Sequence, residues 1–216
     1  MNIFFDLDGT ILDTSERYYL IYYNITKKLG GLPLTKKIYW NYKRNKVSED
    51  LILTHSNLPQ SIFDEYNDTR QNLIESDYYL KFDNVWPELF DFIPSSKLYN
   101  KILLVTLRKK RQQLITQLEN LGIYNWFENI ITVESNEVGS ECHLLKANSI
   151  LKLYPNHLSG IFVGDTETDI KSGKLLGLDS IAVSYGIRKR NFLTHAKPHT
   201  ILSSPKDLVN FIRDLI

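Results

Sequence analysis

Met1-Asn2-Ile3-Phe4-Phe5-Asp6-Leu7-Asp8-Gly9-Thr10 opens the chain, and the reading of this stretch governs the rest. The apolar run Ile3-Phe4-Phe5 predicts a short buried strand that delivers two aspartates, with a glycine and a threonine directly behind them. Residues two apart on a strand point to the same side, so Asp6 and Asp8 begin on one face. Gly9 lets the backbone turn sharply where the strand ends. Two carboxylates held that close repel each other, so a site built from them wants a cation. One member of such a pair can serve as nucleophile while the other works as acid and base. A solvated acidic turn is the alternative; it suits a lone D-x-D better than D-L-D-G-T behind an apolar strand.

The 216 residues suffice for one large domain, or for a core domain with a small insertion. Apolar residues make up 43% and charged ones 24%, an ordinary soluble-globular balance. A formal net charge of +1 gives no reason to invoke nucleic acid or an anionic membrane as partner. The single cysteine, Cys142, excludes an intramolecular disulfide and any Cys-rich metal centre, and it suits a reducing compartment. No apolar run approaches the roughly 18 residues of a membrane span. The N-terminus is read as going straight into a strand, with no basic region or cleavage pattern of a signal peptide. A soluble cytoplasmic protein is the expectation.

Further short apolar runs follow: Ile102-Leu103-Leu104-Val105, Ile130-Ile131-Thr132-Val133, Ile161-Phe162-Val163, Ile181-Ala182-Val183 and the weaker Thr200-Ile201-Leu202. They are near-continuously apolar rather than alternating, as in a parallel sheet covered on both faces. Helical patterns lie between them. Leu114, Ile115, Leu118 and Leu121 are closed by Gly122, and the run from Ile170 to Leu176 is closed by Gly177. Strand and helix alternate, which predicts an α/β, doubly wound parallel sheet.

One segment breaks the alternation. Residues 14–82 show helical periodicity and polar turns but no buried strand, and Pro33 and Pro59 mark places near helix starts. We read them as a small all-helical domain inserted into a core made of residues 1–13 and 83–216. Tyr18, Tyr22 and Ile25 align at helical spacing, as do Tyr19 and Tyr23. These rings are expected to form the insertion's packed core rather than a stacking platform for bases. The basic stretch with Lys36, Lys37, Lys43, Arg44 and Lys46 around Trp40 and Tyr42 reads first as a solvated face; contact with an anionic group of a substrate is the alternative. Arg188, Lys189 and Arg190 read as surface charge.

A second acidic cluster, Gly164-Asp165-Thr166-Glu167-Thr168-Asp169, follows the strand Ile161-Phe162-Val163. Asp165 falls at a strand's C-terminal end, where ligands bind in open α/β sheets. If a helix starts near Thr166, Asp165 and Asp169 face one side of its first turn, although Asp169 has capping alone as an alternative role. With Asp6 and Asp8, Asp165 completes an all-oxygen set suited to Mg²⁺. Thr106 ends another strand, where a hydroxyl before a helix N-terminus is placed to bind an oxyanion. Arg108, two residues on, is a candidate for substrate contact.

These residues resemble the haloacid dehalogenase-like hydrolases, a superfamily dominated by phosphatases, and the resemblance extends over most of the chain. D-L-D-G-T at residues 6–10 is similar to the family's first motif, Thr106 to its second, and the G-D-x-x-x-D run ending at Asp169 to its fourth. The segment after Asp13 resembles the helical cap inserted between the first two motifs. The tail from Val183-Ser184-Tyr185-Gly186 to Phe211 is similar to the phosphoglycolate-phosphatase-like branch. The family's third motif is a lysine, often followed by proline in the loop before a helix; here that loop reads Ser140-Glu141-Cys142-His143. Lys146 is the best match, with a solvated helix lysine as the alternative.

The resemblance implies a Mg²⁺-dependent phosphatase acting on a small phosphorylated metabolite. Asp6 would attack phosphorus to form an aspartyl-phosphate, and Asp8 would serve as acid and base. The Asp6 carboxylate, the Asp8 backbone carbonyl and Asp165 would hold the metal, with Asp169 orienting its water ligands. Thr106 and Lys146 would bind phosphoryl oxygens. A phosphosugar mutase uses the same aspartate pair and stays open. So does a protein of another class, a non-catalytic phospho-ligand binder or phospho-accepting signalling module. A monomer or weak homo-oligomer is expected, with hinges near residues 13–15 and 82–86.

Overall fold

The computed structural model describes residues 1–133, 141–155 and 158–215; Ser140 of the motif-three loop and the terminal Ile216 lie outside them. The chain runs β1 (Asn2–Phe5), β2 (Leu12–Asp13), α1 (Ser15–Lys28), α2 (Lys36–Arg44), α3 (Glu49–His55), α4 (Phe63–Leu73) and α5 (Asp77–Leu80). Next come β3 (Asn84–Val85), α6 (Pro87–Ser96), β4 (Lys101–Thr106), α7 (Arg111–Asn120), β5 (Asn129–Thr132) and α8 (Cys142–Leu153). β6 (Gly160–Gly164), α9 (Glu167–Leu175), β7 (Asp179–Val183), α10 (Arg190–His195), β8 (Thr200–Leu202) and α11 (Pro205–Arg213) complete it. Contacts divide the chain into one unit of Met1–Asp13 and Val85–Ile216, and another of Thr14–Asn84.

In the first unit six strands form one parallel sheet in the order β5-β4-β1-β6-β7-β8. The apolar runs of the sequence are these strands, and the doubly wound α/β class is the observed one. Side chains alternate across each strand. Ile3, Phe5, Ile102, Leu104, Ile161 and Val163 therefore share one core with Leu89 of α6, Leu118 of α7 and Leu208 of α11. Phe4, Leu103, Val105 and Phe162 point the other way, into a core with Ile150 of α8 and Leu178. Both faces are covered, which is why the sequence shows no apolar–polar alternation.

The order reverses direction at β1, whose neighbours are β4 and β6. Crevices form at such reversals, beyond the carboxyl ends of the strands. Register brings the ends together: Phe5 lies opposite both Leu104 and Val163, and the Asp6 N–H donates to the Val163 carbonyl at 2.9 Å. Asp6, Thr106 and Asp165 thus emerge from three neighbouring strands at one edge of the sheet.

The regular elements of the second unit are helices, apart from Asn84, which begins β3. Thr35 and Ser48 cap α2 and α3, their side chains accepting from the N–H groups of Ile38 and Leu51. Its core is aromatic, as expected from the tyrosine spacing. Tyr22 and Tyr39 stack with ring centroids 4.3 Å apart, and Tyr66 is equally buried. The Tyr22 hydroxyl accepts from the Leu34 N–H at 2.7 Å and shares a hydrogen bond with the Ser56 hydroxyl at 2.6 Å. Lys36 and Lys43, from the basic stretch, form ion pairs with Glu16 at 2.5 Å and Glu49 at 2.7 Å.

Two predictions arise from this core. The Tyr39 hydroxyl is buried without a hydrogen-bond partner among the described residues, whereas that of Tyr66 donates to Glu49 at 3.1 Å. Tyr39→Phe is therefore expected to leave stability unchanged or raise it by about 1 kcal/mol, and Tyr66→Phe to lower it by a similar amount, in urea unfolding of the full chain. Burial pushes the Glu49 carboxyl up, but Lys43 and Arg70, with hydrogen bonds from Lys43 and Tyr66, outweigh burial and hold it below 4.5. A carboxyl lowered by folding stabilises above its unfolded value, and that contribution disappears as pH falls through its folded value. Glu49→Gln should be less stable than the parent at pH 7 and lose less stability below pH 4.5. Parallel slopes for the two proteins there would refute this.

Candidate active site

Asp6 sits at the end of β1, where burial fixes its surroundings. Its Oδ1 accepts from the Lys146 ammonium at 2.5 Å, and the Thr10 hydroxyl lies 3.5 Å from its Oδ2. Lys146 stands on the second turn of α8 rather than in the loop before it, and only 2% of it is exposed. The same ammonium donates to Asp169 Oδ1 at 2.6 Å. Asp169 Oδ2 accepts from the Thr166 N–H at 3.0 Å and the Thr166 hydroxyl at 2.6 Å, closing the N-terminus of α9. Capping and site roles are thus combined in one carboxylate. The Ser172 hydroxyl of α9 donates to the His143 carbonyl of α8 at 3.0 Å, fastening the two helices that carry Asp169 and Lys146.

Asp165 follows β6 and is wholly buried. Its Oδ2 accepts from the Ile187 backbone N–H at 2.5 Å, whereas its Oδ1 has no hydrogen-bond partner among the described residues. Asp6, Asp165 and Asp169 each present a carboxylate oxygen within 4.8 Å of the others. Burial pushes Asp6 up to about 7; Lys146 opposes that rise, and Asp169 and Asp8 add to it. Asp165 is pushed well up by burial and by the charges of Asp6 and Asp169. Burial works to lower Lys146, but Asp169 and Asp6 outweigh it and raise the ammonium above its ordinary value. The cluster is therefore acid-rich, with one lysine among three carboxyls. An unpartnered buried oxygen in an all-oxygen donor set fits a hard divalent cation such as Mg²⁺.

The Asp8 carboxylate is outside that set of three. It is gripped by the Arg108 guanidinium, with Nε donating to Oδ2 at 3.0 Å and Nη2 to Oδ1 at 2.5 Å. Arg108 Nη1 donates to Gln117 Oε1 on α7, and the Arg108 N–H donates to the Thr106 hydroxyl at 3.3 Å. Arg108, expected to face substrate, thus spends its fork on Asp8. Thr106, at the end of β4, is buried.

Gln117 and the Ile187 N–H escaped the sequence reading, which noted Tyr185 and Gly186 only as part of the tail and not as site groups. The Tyr185 hydroxyl donates to the Thr10 carbonyl at 3.0 Å. A Cβ on Gly186 would fall 2.3 Å from Asp165 Oδ2 and 2.3 Å from the Gly9 carbonyl; one on Gly9, whose φ is +85°, would fall 2.0 Å from Asp165 Oδ2. Their available signal was Gly186 following the apolar strand β7, at the same sheet edge as Asp6 and Asp165. Arg188 also differs from the plain surface charge expected of it: its Nε lies 3.4 Å from Glu167 Oε2, and each side chain is 21% exposed. Gly186→Ala is expected to disturb Asp165 and weaken Mg²⁺ binding about ten-fold or more, by isothermal titration calorimetry. Unchanged affinity would show that the loop does not set Asp165.

The profile described as haloacid dehalogenase-like hydrolase matches residues 3–183. Pyrophosphatase PpaX of Oceanobacillus iheyensis is 27% identical over 227 residues, covering 98% of this chain and 96% of that protein. A haloacid dehalogenase-like family hydrolase from Streptococcus pneumoniae shares the fold with a TM-score of 0.75 at 19% identity, over 98% of this chain and 97% of its own. A predicted phosphoglycolate phosphatase from Haemophilus somnus does so with a TM-score of 0.73 at 16% identity, over 97% and 96%. The matched span runs from β1 to the end of β7 and includes both acidic motifs, Thr106 and Lys146, and the chain belongs to the haloacid dehalogenase-like hydrolase family.

Proposed function

We propose that this hydrolase is a Mg²⁺-dependent phosphatase that cleaves a small phosphate monoester through an aspartyl-phosphate. The observation that carries the reading is the placement of Asp6: a buried carboxylate at the switch point of the sheet, braced by Lys146 and facing the unpartnered oxygen of Asp165. Asp6 attacks phosphorus in line with the departing oxygen. Asp8 gives that oxygen a proton, then takes one from the water that hydrolyses the aspartyl-phosphate. Thr106 and Lys146 hydrogen-bond the phosphoryl oxygens. Mg²⁺ held by Asp6, Asp165 and the Asp8 backbone carbonyl would neutralise charge on the transferring group. Asp169, whose oxygens are bonded to Lys146 and Thr166, supports the site from behind.

The helical unit is the substrate-selecting cap in this reading, and the protein works in the cytoplasm as a monomer or weak homo-oligomer. No helix among the described residues is long and apolar enough to cross a membrane. Inorganic pyrophosphate is a second candidate substrate, favoured by near full-length similarity to a protein named pyrophosphatase PpaX.

Phosphate release from phosphoglycolate, sugar phosphates, nucleotides and pyrophosphate tests the reading. Turnover should require Mg²⁺, stop with EDTA and fall to background in Asp6→Asn. Hydrolysis retained by folded Asp6→Asn would overturn the aspartyl-phosphate. An isomerised phosphosugar as product would make the protein a mutase. Silence across the panel from protein that still binds Mg²⁺ would favour a binding role.

A further inference from the structure

Resting on that reading of Asp8, we propose that Arg108 is a positioning residue that acts through Asp8 and sets the geometry of its proton transfer. The two charged groups differ sharply in exposure: the Arg108 side chain is 4% exposed and the Asp8 side chain 24%. The guanidinium is therefore the deeply buried partner and the carboxylate the more accessible one. Each carboxylate oxygen accepts one hydrogen bond from the fork, at 3.0 Å and 2.5 Å.

A bidentate guanidinium fixes the plane of a carboxylate as well as its place, which a lysine ammonium does not. The fork is itself tethered. Gln117 holds Nη1 from α7, and the Arg108 N–H engages Thr106, so one residue links the acid–base group to the oxyanion threonine. Asp8 lies within a tight turn, in which the N–H groups of Ile11 and Leu12 both return to the Leu7 carbonyl at 3.0 Å. Backbone and fork together leave the carboxylate little freedom. In the reaction, the bond from phosphorus to the departing oxygen breaks as the Asp8 proton moves to that oxygen. The water that later attacks phosphorus returns a proton to Asp8. Both transfers need a carboxylate oxygen within hydrogen-bond reach of the reacting oxygen. Misplacement by about 1 Å costs on the order of a hundred-fold.

The test compares two esters with different leaving groups in the full-length enzyme with Mg²⁺: an alkyl phosphate, whose alcohol must be protonated, and p-nitrophenyl phosphate, whose phenolate departs unaided. Arg108→Lys keeps the charge and removes the fork. It is expected to lower kcat on the alkyl ester about ten- to a hundred-fold with little change in KM, and to change p-nitrophenyl phosphate turnover much less. Gln117→Met, which removes the tether and keeps the fork, should give a smaller loss with the same leaving-group preference. Asp8→Asn combined with Arg108→Lys should be no worse than Asp8→Asn alone. A raised KM with unchanged kcat would make Arg108 a substrate-binding group instead. Equal losses on both esters, adding to that of Asp8→Asn, would reduce it to a structural ion pair. If Asp8→Asn alone keeps full activity on the alkyl ester, the acid–base reading of Asp8 fails, whatever Arg108 does.

Discussion

Concentrated negative charge at the ends of parallel strands is the constraint around which this site is built. Asp6, Asp165 and Asp169 lie close enough for their oxygens to share one ligand, and all three are buried. Buried like charges are expensive unless each finds a compensating partner. Lys146 answers for two of them, and its position depends on the docking of α8 against α9, through such contacts as Ser172 to His143. The packing of α8 on α9 thereby sets where the Lys146 ammonium meets the central carboxylate of the site. Among the described residues Asp165 takes support from a backbone amide, and its second oxygen has no hydrogen-bond partner.

The four aspartates have different partners, and that partition differentiates chemically identical side chains. Asp6 takes an ammonium, Asp8 a guanidinium fork, Asp165 a backbone N–H, and Asp169 a helix cap together with the ammonium. The arrangement also needs room. Gly9 and Gly186 close on Asp165 from two loops where any Cβ would collide with its carboxylate. The tail after β7 is for that reason part of the site and not a mere continuation of the sheet.

The helical unit obeys a different rule. Its interior is filled by tyrosines whose rings stack while several hydroxyls find partners inside the same unit, as Tyr22 does with Ser56 and Leu34. Aromatic bodies supply apolar burial, and the hydroxyl tips fasten turns to helices. Part of the basic stretch that stood out in the sequence is used up within the unit, by Glu16 and Glu49.

How much was legible follows from the range of each signal. Strand runs such as Ile3-Phe4-Phe5 and Ile161-Phe162-Val163 show two-sided burial directly, because a strand covered on both faces has no polar side. The acidic motifs sit where those strands stop, so the strand-end location of Asp6 and Asp165 was readable without coordinates, and the strand order then put both at the switch point. Lys146 was singled out through resemblance, but its brace to both Asp6 and Asp169 depends on how two helices 23 residues apart at these contacts pack together. Arg108 was noticed as a candidate for substrate contact, but its pairing with Asp8 was not, since nothing local says that a side chain 100 positions away will occupy its fork. Gln117 carries no motif at all, and Tyr185 and Gly186 stood out only through the tail's resemblance. The sequence by itself determined the strands, their burial, the helical insertion and the acidic groups at the strand ends, because periodicity and turn chemistry act between near neighbours. Only the tertiary structure decided which charge meets which, because ion pairs are chosen by through-space distance after the sheet order and helix docking are set.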